Sequence, residues 1–123
     1  MPVPILKQGP FLIASVRSSL SDSQWEAFRT GLLGRVGQPG IQGAVIDLTL
    51  MDVVDSYAAR MLRDMVAMLR LRGAEAVIVG IQPEVAFAMA QLGLRMEGVG
   101  TALDLDEGIV ALVRRLRARA QHA

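Results

Sequence analysis

Few residues in this 123-residue chain can do chemistry, and most of them cluster in one short stretch. Asp47, Asp52 and Asp55 surround the end of a single apolar run, and Ser56 and Tyr57 follow at once. Three carboxylates so spaced suggest a magnesium site or a receiver-type phosphorylation centre. Asp47, however, lies inside the apolar run, and such a centre needs a lysine after a later strand. Lys7 is the only lysine in the chain. Turn and capping roles suit Asp52 and Asp55 better, because short acidic side chains accept from free N–H groups at turns and helix starts. Asp55-Ser56-Tyr57 has a second reading. A serine at a helix start is a candidate regulatory phosphoacceptor, since a phosphate there would meet free backbone donors and the positive end of the helix dipole. It would also meet the negative charges of Asp52 and Asp55. On residue types alone, capping is the better account.

The remaining chemistry is sparse. No cysteine is present, which excludes disulfides, thiolate metal sites and thiol nucleophiles. His122 is the only histidine and lies beside the C-terminus, so a histidine-based triad or metal cluster is not expected. The glycines form neither a Gly-x-x-x-x-Gly-Lys nor a Gly-x-Gly-x-x-Gly phosphate loop. Arg114, Arg115, Arg117 and Arg119 make a basic group without interleaved aromatics, which reads as a solvated helix face. Met61, Met65 and Met68 sit at helical spacing beside Leu62 and Leu69 and read as core. No catalytic residue, metal ligand or cofactor is expected.

These residues need a scaffold, and the bulk composition supplies one. The chain is 52% hydrophobic and 20% charged, as a folded single domain should be, and its net charge of +1 makes no case for nucleic acid. Neither a signal peptide within Met1 to Lys7 nor a membrane-length apolar run is visible, so the expectation is a soluble cytoplasmic protein.

Along the chain, Val3 to Gln8 and Phe11 to Val16 read as two strands turned at Gly9-Pro10. Ser21 and Gln24 form a capping box, after which Trp25, Phe28, Leu32 and Val36 recur at helical spacing up to the break at Gly37-Gln38-Pro39-Gly40. Ala44 to Leu48 reads as a buried central strand. A second helix opens near Asp55 or Ser56, with Ala58, Met61, Leu62, Met65, Val66 and Leu69 as its apolar stripe, and ends at Gly73. Ala76 to Val79 is another buried strand. A third helix has Pro83 at its first position and continues from Val85 to Leu92, closed by Gly93. Val99 to Leu103 is a short last strand. Asp104 and Glu107 make a second capping box for a final helix that buries Leu105, Ile109, Leu112, Val113 and Leu116, and residues 118–123 are expected to fray. Strand–helix alternation from residue 44 onward predicts parallel pairing, and the hairpin before it makes the sheet mixed. The fold class is α/β, one domain with a mixed β-sheet and about four helices.

This order, with Asp-Ser opening the second helix, resembles the STAS family of anti-sigma factor antagonists. Val54-Asp55-Ser56 is shared across such domains. Pro4-Ile5-Leu6, Val45-Ile46-Asp47-Leu48-Thr49, Gly80-Ile81-Gln82-Pro83 and Thr101-Ala102-Leu103-Asp104-Leu105 point more narrowly to the scaffold proteins of the stressosome branch. The resemblance covers nearly the whole chain. It implies a non-enzymatic phosphoprotein in stress-response signalling that sequesters an RsbT-type serine/threonine switch kinase. The kinase is released when Ser56, at the family's phosphoacceptor position, is phosphorylated. An RsbR-type co-antagonist, which carries a sensory domain before its own STAS domain, is the implied assembly partner; no such domain precedes this one, which implies the scaffold member. Asp52, Asp55, Ser56 and Tyr57 are the expected partner-contact residues. Stressosome domains often carry threonine before the Gly-Ile-Gln/Arg-Pro element, as a second phosphoacceptor or near one, where this chain has Val79. The competing reading is a free anti-anti-sigma factor that binds an anti-sigma kinase directly.

Overall fold

A computed structural model describes residues 2–93 and 98–121. His122 lies outside them, as does residue 123. Five strands form one sheet in sequence order: β1 (Ile5–Gln8), β2 (Phe11–Ser15), β3 (Gly43–Asp47), β4 (Glu75–Val79) and β5 (Gly100–Ala102). β1 pairs antiparallel with β2 across the Gly9-Pro10 turn, and all later pairs are parallel. The helices are α1 (Asp22–Val36), α2 (Ser56–Leu71), α3 (Pro83–Gln91) and α4 (Leu105–Gln121). The sheet is mixed and the fold α/β, as the alternation of patterns predicts.

Strand order explains the layering. A sheet that grows in one direction through right-handed crossovers must place every crossover helix on the same face. Accordingly α1, α2 and α3 share one core with one face of the sheet, built from Leu12, Ala14, Ala44, Ile46, Ala76 and Ile78. Trp25, Phe28 and Leu32 of α1 and Met61, Leu62, Met65 and Leu69 of α2 fill that layer. α4 follows β5 and packs over the opposite face. There Leu112 packs with Phe11, Ile13, Val45, Val77 and Val79, and Leu105, Ile109, Val113 and Leu116 flank it half-buried. Gly108 lets α4 approach closely, since a side chain there would overlap Val79.

Most element ends agree with the sequence reading. The α1 capping box is complete: the Gln24 N–H donates to Ser21 Oγ (3.2 Å) and the Ser21 N–H donates to Gln24 Oε1 (2.8 Å). The second box differs in one partner. The Glu107 N–H donates to Asp104 Oδ1 (2.9 Å), but the Glu107 carboxylate reaches the N–H of Leu103 rather than that of Asp104. Val3, Val16, Leu48, Val99 and Leu103 fall just outside their strands, and Leu92 just outside α3. Glu75 joins β4 ahead of the apolar run. α4 continues through Gln121, past the point where fraying was expected to begin. Arg119 accounts for part of that length, because its Nη1 donates to the carbonyl of Gly73 (3.1 Å).

Candidate functional site around Ser56

The parallel strands end together, and the loop from Thr49 to Asp55 leaves the sheet from β3, the strand paired with both β2 and β4. Four sets of hydrogen bonds fix its course. Asp47 Oδ1, at the end of β3, accepts from both the N–H (2.9 Å) and the hydroxyl (2.6 Å) of Thr49. Gln82 Nε2 donates to the Thr49 carbonyl (2.7 Å), which ties the loop to the start of α3. On the other side, the Ser18 hydroxyl donates to Asp52 Oδ1 (2.7 Å) and accepts from the N–H groups of Asp52 (2.9 Å) and Val53 (3.2 Å). Asp55 closes the loop as the N-cap of α2, its Oδ1 accepting from the Ala58 N–H (2.8 Å).

Gly80 allows this packing. Its φ of +72° lies in the left-handed region, where side chains are strained, and a Cβ there would collide with Thr49 Oγ1. Gly80-Ile81-Gln82-Pro83 is thus a brace for the neighbouring loop, with Gly80 making room and Gln82 holding the carbonyl. Ser19, beside the clamping Ser18, is the one non-glycine residue with positive φ among those described.

The loop is held from within by buried Met51 and Val54, while Leu50 and Val53 point outward, each 68% exposed. Ser56 is exposed at the first position of α2, and its hydroxyl has no hydrogen bond to a described residue. Capping and presentation are therefore divided between neighbours. Asp55 performs the structural role that the residue types suggested for this segment, and Ser56 is not the cap. Tyr57 is half-buried and packs against the larger core.

The three carboxylates do not converge. Asp47, Asp52 and Asp55 each accept from a different neighbour, and no group of three metal-ligating side chains occurs among the described residues. Val79 ends β4 fully buried beneath α4, in the hydrophobic layer away from the loop's exposed surface. Met61 and Met65 are core, as their spacing predicts, whereas Met68 is only partly buried. No helix among the described residues is long and apolar enough to cross a membrane.

Several residues escaped the sequence reading. Ser18 carries no local signal, since its role depends on a residue 34 positions away. Leu50 and Val53 went unread, because nothing local tells an exposed loop side chain from buried ones such as Met51 and Val54. Arg115 and Arg119 proved to be anchors at the far end of the sheet, each 3.7 Å from the buried carboxylate of Glu75.

A family model described as STAS domain matches residues 3–108. A serine-to-glutamate variant of RsbS from Moorella thermoacetica has a TM-score of 0.82 and 32% identity, the match covering 94% of this chain and 97% of that one. A chain from a structure of the molecular architecture of the stressosome, described as a signal integration and transduction hub, gives a TM-score of 0.80 and 34% identity, covering 93% and 99%. RsbT co-antagonist protein RsbRC of Bacillus subtilis (strain 168) is 36% identical over 66 residues, which is 54% of this chain and 23% of that relative. The chain thus spans under a quarter of the length of this curated relative. The family model covers most of the chain and the fold matches agree with it, so the chain belongs to the STAS domain family.

Proposed function

We propose that this chain is a non-catalytic stressosome scaffold in the cytoplasm, which holds an RsbT-type switch kinase and releases it when Ser56 is phosphorylated. The observation that carries this reading is the exposed Ser56 hydroxyl, without a hydrogen bond to a described residue, at the start of α2 beside a loop held in place by the side chains of Asp47, Asp52 and Asp55. Similarity to RsbS over nearly the full length of both chains supports the scaffold role. Similarity to part of RsbRC supports an RsbR-type co-antagonist as assembly partner.

The kinase contributes the nucleotide. The Ser56 Oγ forms a bond to the γ-phosphorus of ATP, the bond from that phosphorus to the β–γ bridging oxygen breaks, and ADP leaves. The hydroxyl proton passes to a base on the kinase. Before transfer, Leu50 and Val53 give the partner apolar area on either side of Asp52. Afterwards the phosphate adds up to two negative charges beside Asp55, and like charges repel most strongly once an interface excludes water.

Sedimentation of the chain with an RsbR-type co-antagonist tests the scaffold role. A large mixed particle that retains the kinase agrees with the proposal. Separate sedimentation of the two, with direct binding of an anti-sigma kinase, would establish the free-antagonist reading instead.

A further inference from the structure

Ser56 also lines a groove of about 220 Å³ whose other walls are Arg60, Arg63, Leu92 and Gly93. Positions 56, 60 and 63 are separated by four and three residues, so all three lie along one face of α2. Arg60 makes no hydrogen bond or ion pair with a described residue. Arg63 uses its Nε on Asp64 (3.2 Å), an exposed pair with side chains 44% and 52% accessible, and its terminal nitrogens have no described partner. Surface pairs of that kind hold weakly and exchange readily for a better acceptor. Among the described residues, the lining of the groove therefore has two guanidinium groups and no carboxylate.

Resting on the phosphoacceptor reading of Ser56, we infer that the phosphate on Ser56 is bound within the same chain, by Arg60 and Arg63 in this groove. Charge on both sides directs it there. Asp55 precedes Ser56 and repels the phosphate, while the two arginines follow it and attract it. Guanidinium groups suit this task because their planar donors match phosphate oxygens in bidentate geometry. Modification then has two effects on the surface a partner meets: it adds negative charge at position 56 and occupies the two cations beyond it. The unmodified groove presents those cations to an acidic segment of the partner; the modified groove is filled.

Installing phosphoserine at position 56 by codon reassignment tests this without any kinase. The phosphate's second ionisation, ordinarily near pH 6, is followed by phosphorus NMR. Paired with two arginines it should titrate below that of the same phosphoprotein carrying Arg60→Gln and Arg63→Gln, by roughly 0.5–1 pH unit. Arg60→Lys with Arg63→Lys should restore part of the difference, since charge is kept and the fork geometry lost. Circular dichroism of the unmodified variants should match wild type, because both side chains are exposed. Coincident titrations of wild type and the Gln variant would overturn the inference. Failure of a kinase to modify Ser56 would instead overturn the proposed function, and the two results are separable.

Discussion

The two ends of the parallel sheet solve the problem of placing acidic side chains in different ways. At the loop end, Asp47, Asp52 and Asp55 remain near water and each accepts short hydrogen bonds of 2.6–2.9 Å from nearby N–H and hydroxyl donors. At the opposite end Glu75 is buried, its side chain 6% accessible, with Arg115 and Arg119 both at 3.7 Å and no hydrogen bond to Oε2 from a described residue. The first arrangement fixes backbone and leaves a serine free. The second joins β4 to α4, with Arg115 and Arg119 also bonding the carbonyls of Gly98 and Gly73. Short, directional bonds suit a loop whose backbone course must be held near water. A buried charge held at longer range suits an element that has only to stay docked.

This contrast can be broken from the anchored side first. Leu112 is fully buried at the centre of the α4 layer, and Leu112→Ala should destabilise the fold by about 2–5 kcal/mol through lost transfer energy and a residual cavity. Urea unfolding measures it. A cost below about 1 kcal/mol would mean that α4 is not a structural half of the core.

The next effect concerns Glu75. Arg115→Ala with Arg119→Ala leaves a buried carboxylate without a cation and should cost about 1–3 kcal/mol in the same assay. Adding Glu75→Gln to that double variant should recover a good part of the loss, because the stranded charge is gone. No recovery would show that the arginines act through packing and their carbonyl bonds alone.

At the loop end the expected effects are smaller and differ between neighbours. Asp55→Ala removes the α2 cap and should cost about 1 kcal/mol. Ser56→Ala removes no described hydrogen bond and should stay within about 0.5 kcal/mol of wild type. Equal losses at both positions would contradict the separation of capping from presentation.

Much of this architecture was legible in the sequence because its signals are local. The Ser21–Gln24 box, the α2 stripe and the apolar runs of β3 and β4 each report on their own neighbours. The candidate site was half legible. Asp55-Ser56 marks a helix start within three residues, but which of the two caps depends on backbone geometry one residue apart. The braces were not legible, since Ser18 and Gln82 act across 33 to 35 positions of chain. Glu75 was hidden for a similar reason. A charge beside an apolar run ordinarily marks the strand's exposed end, and only the return of α4 buries it.

The proposed function rests on Ser56 as the residue through which a kinase partner is held and released. Wild type, Ser56→Ala and Ser56→Asp should each be incubated with an RsbT-type kinase and ATP, with kinase affinity measured and phosphate mapped by mass spectrometry. The expected results are phosphate on Ser56 in wild type, retained kinase without release for Ser56→Ala, and weakened binding for Ser56→Asp. Phosphate elsewhere with Ser56 unmodified, or equal affinity for all three proteins, would contradict the proposed function.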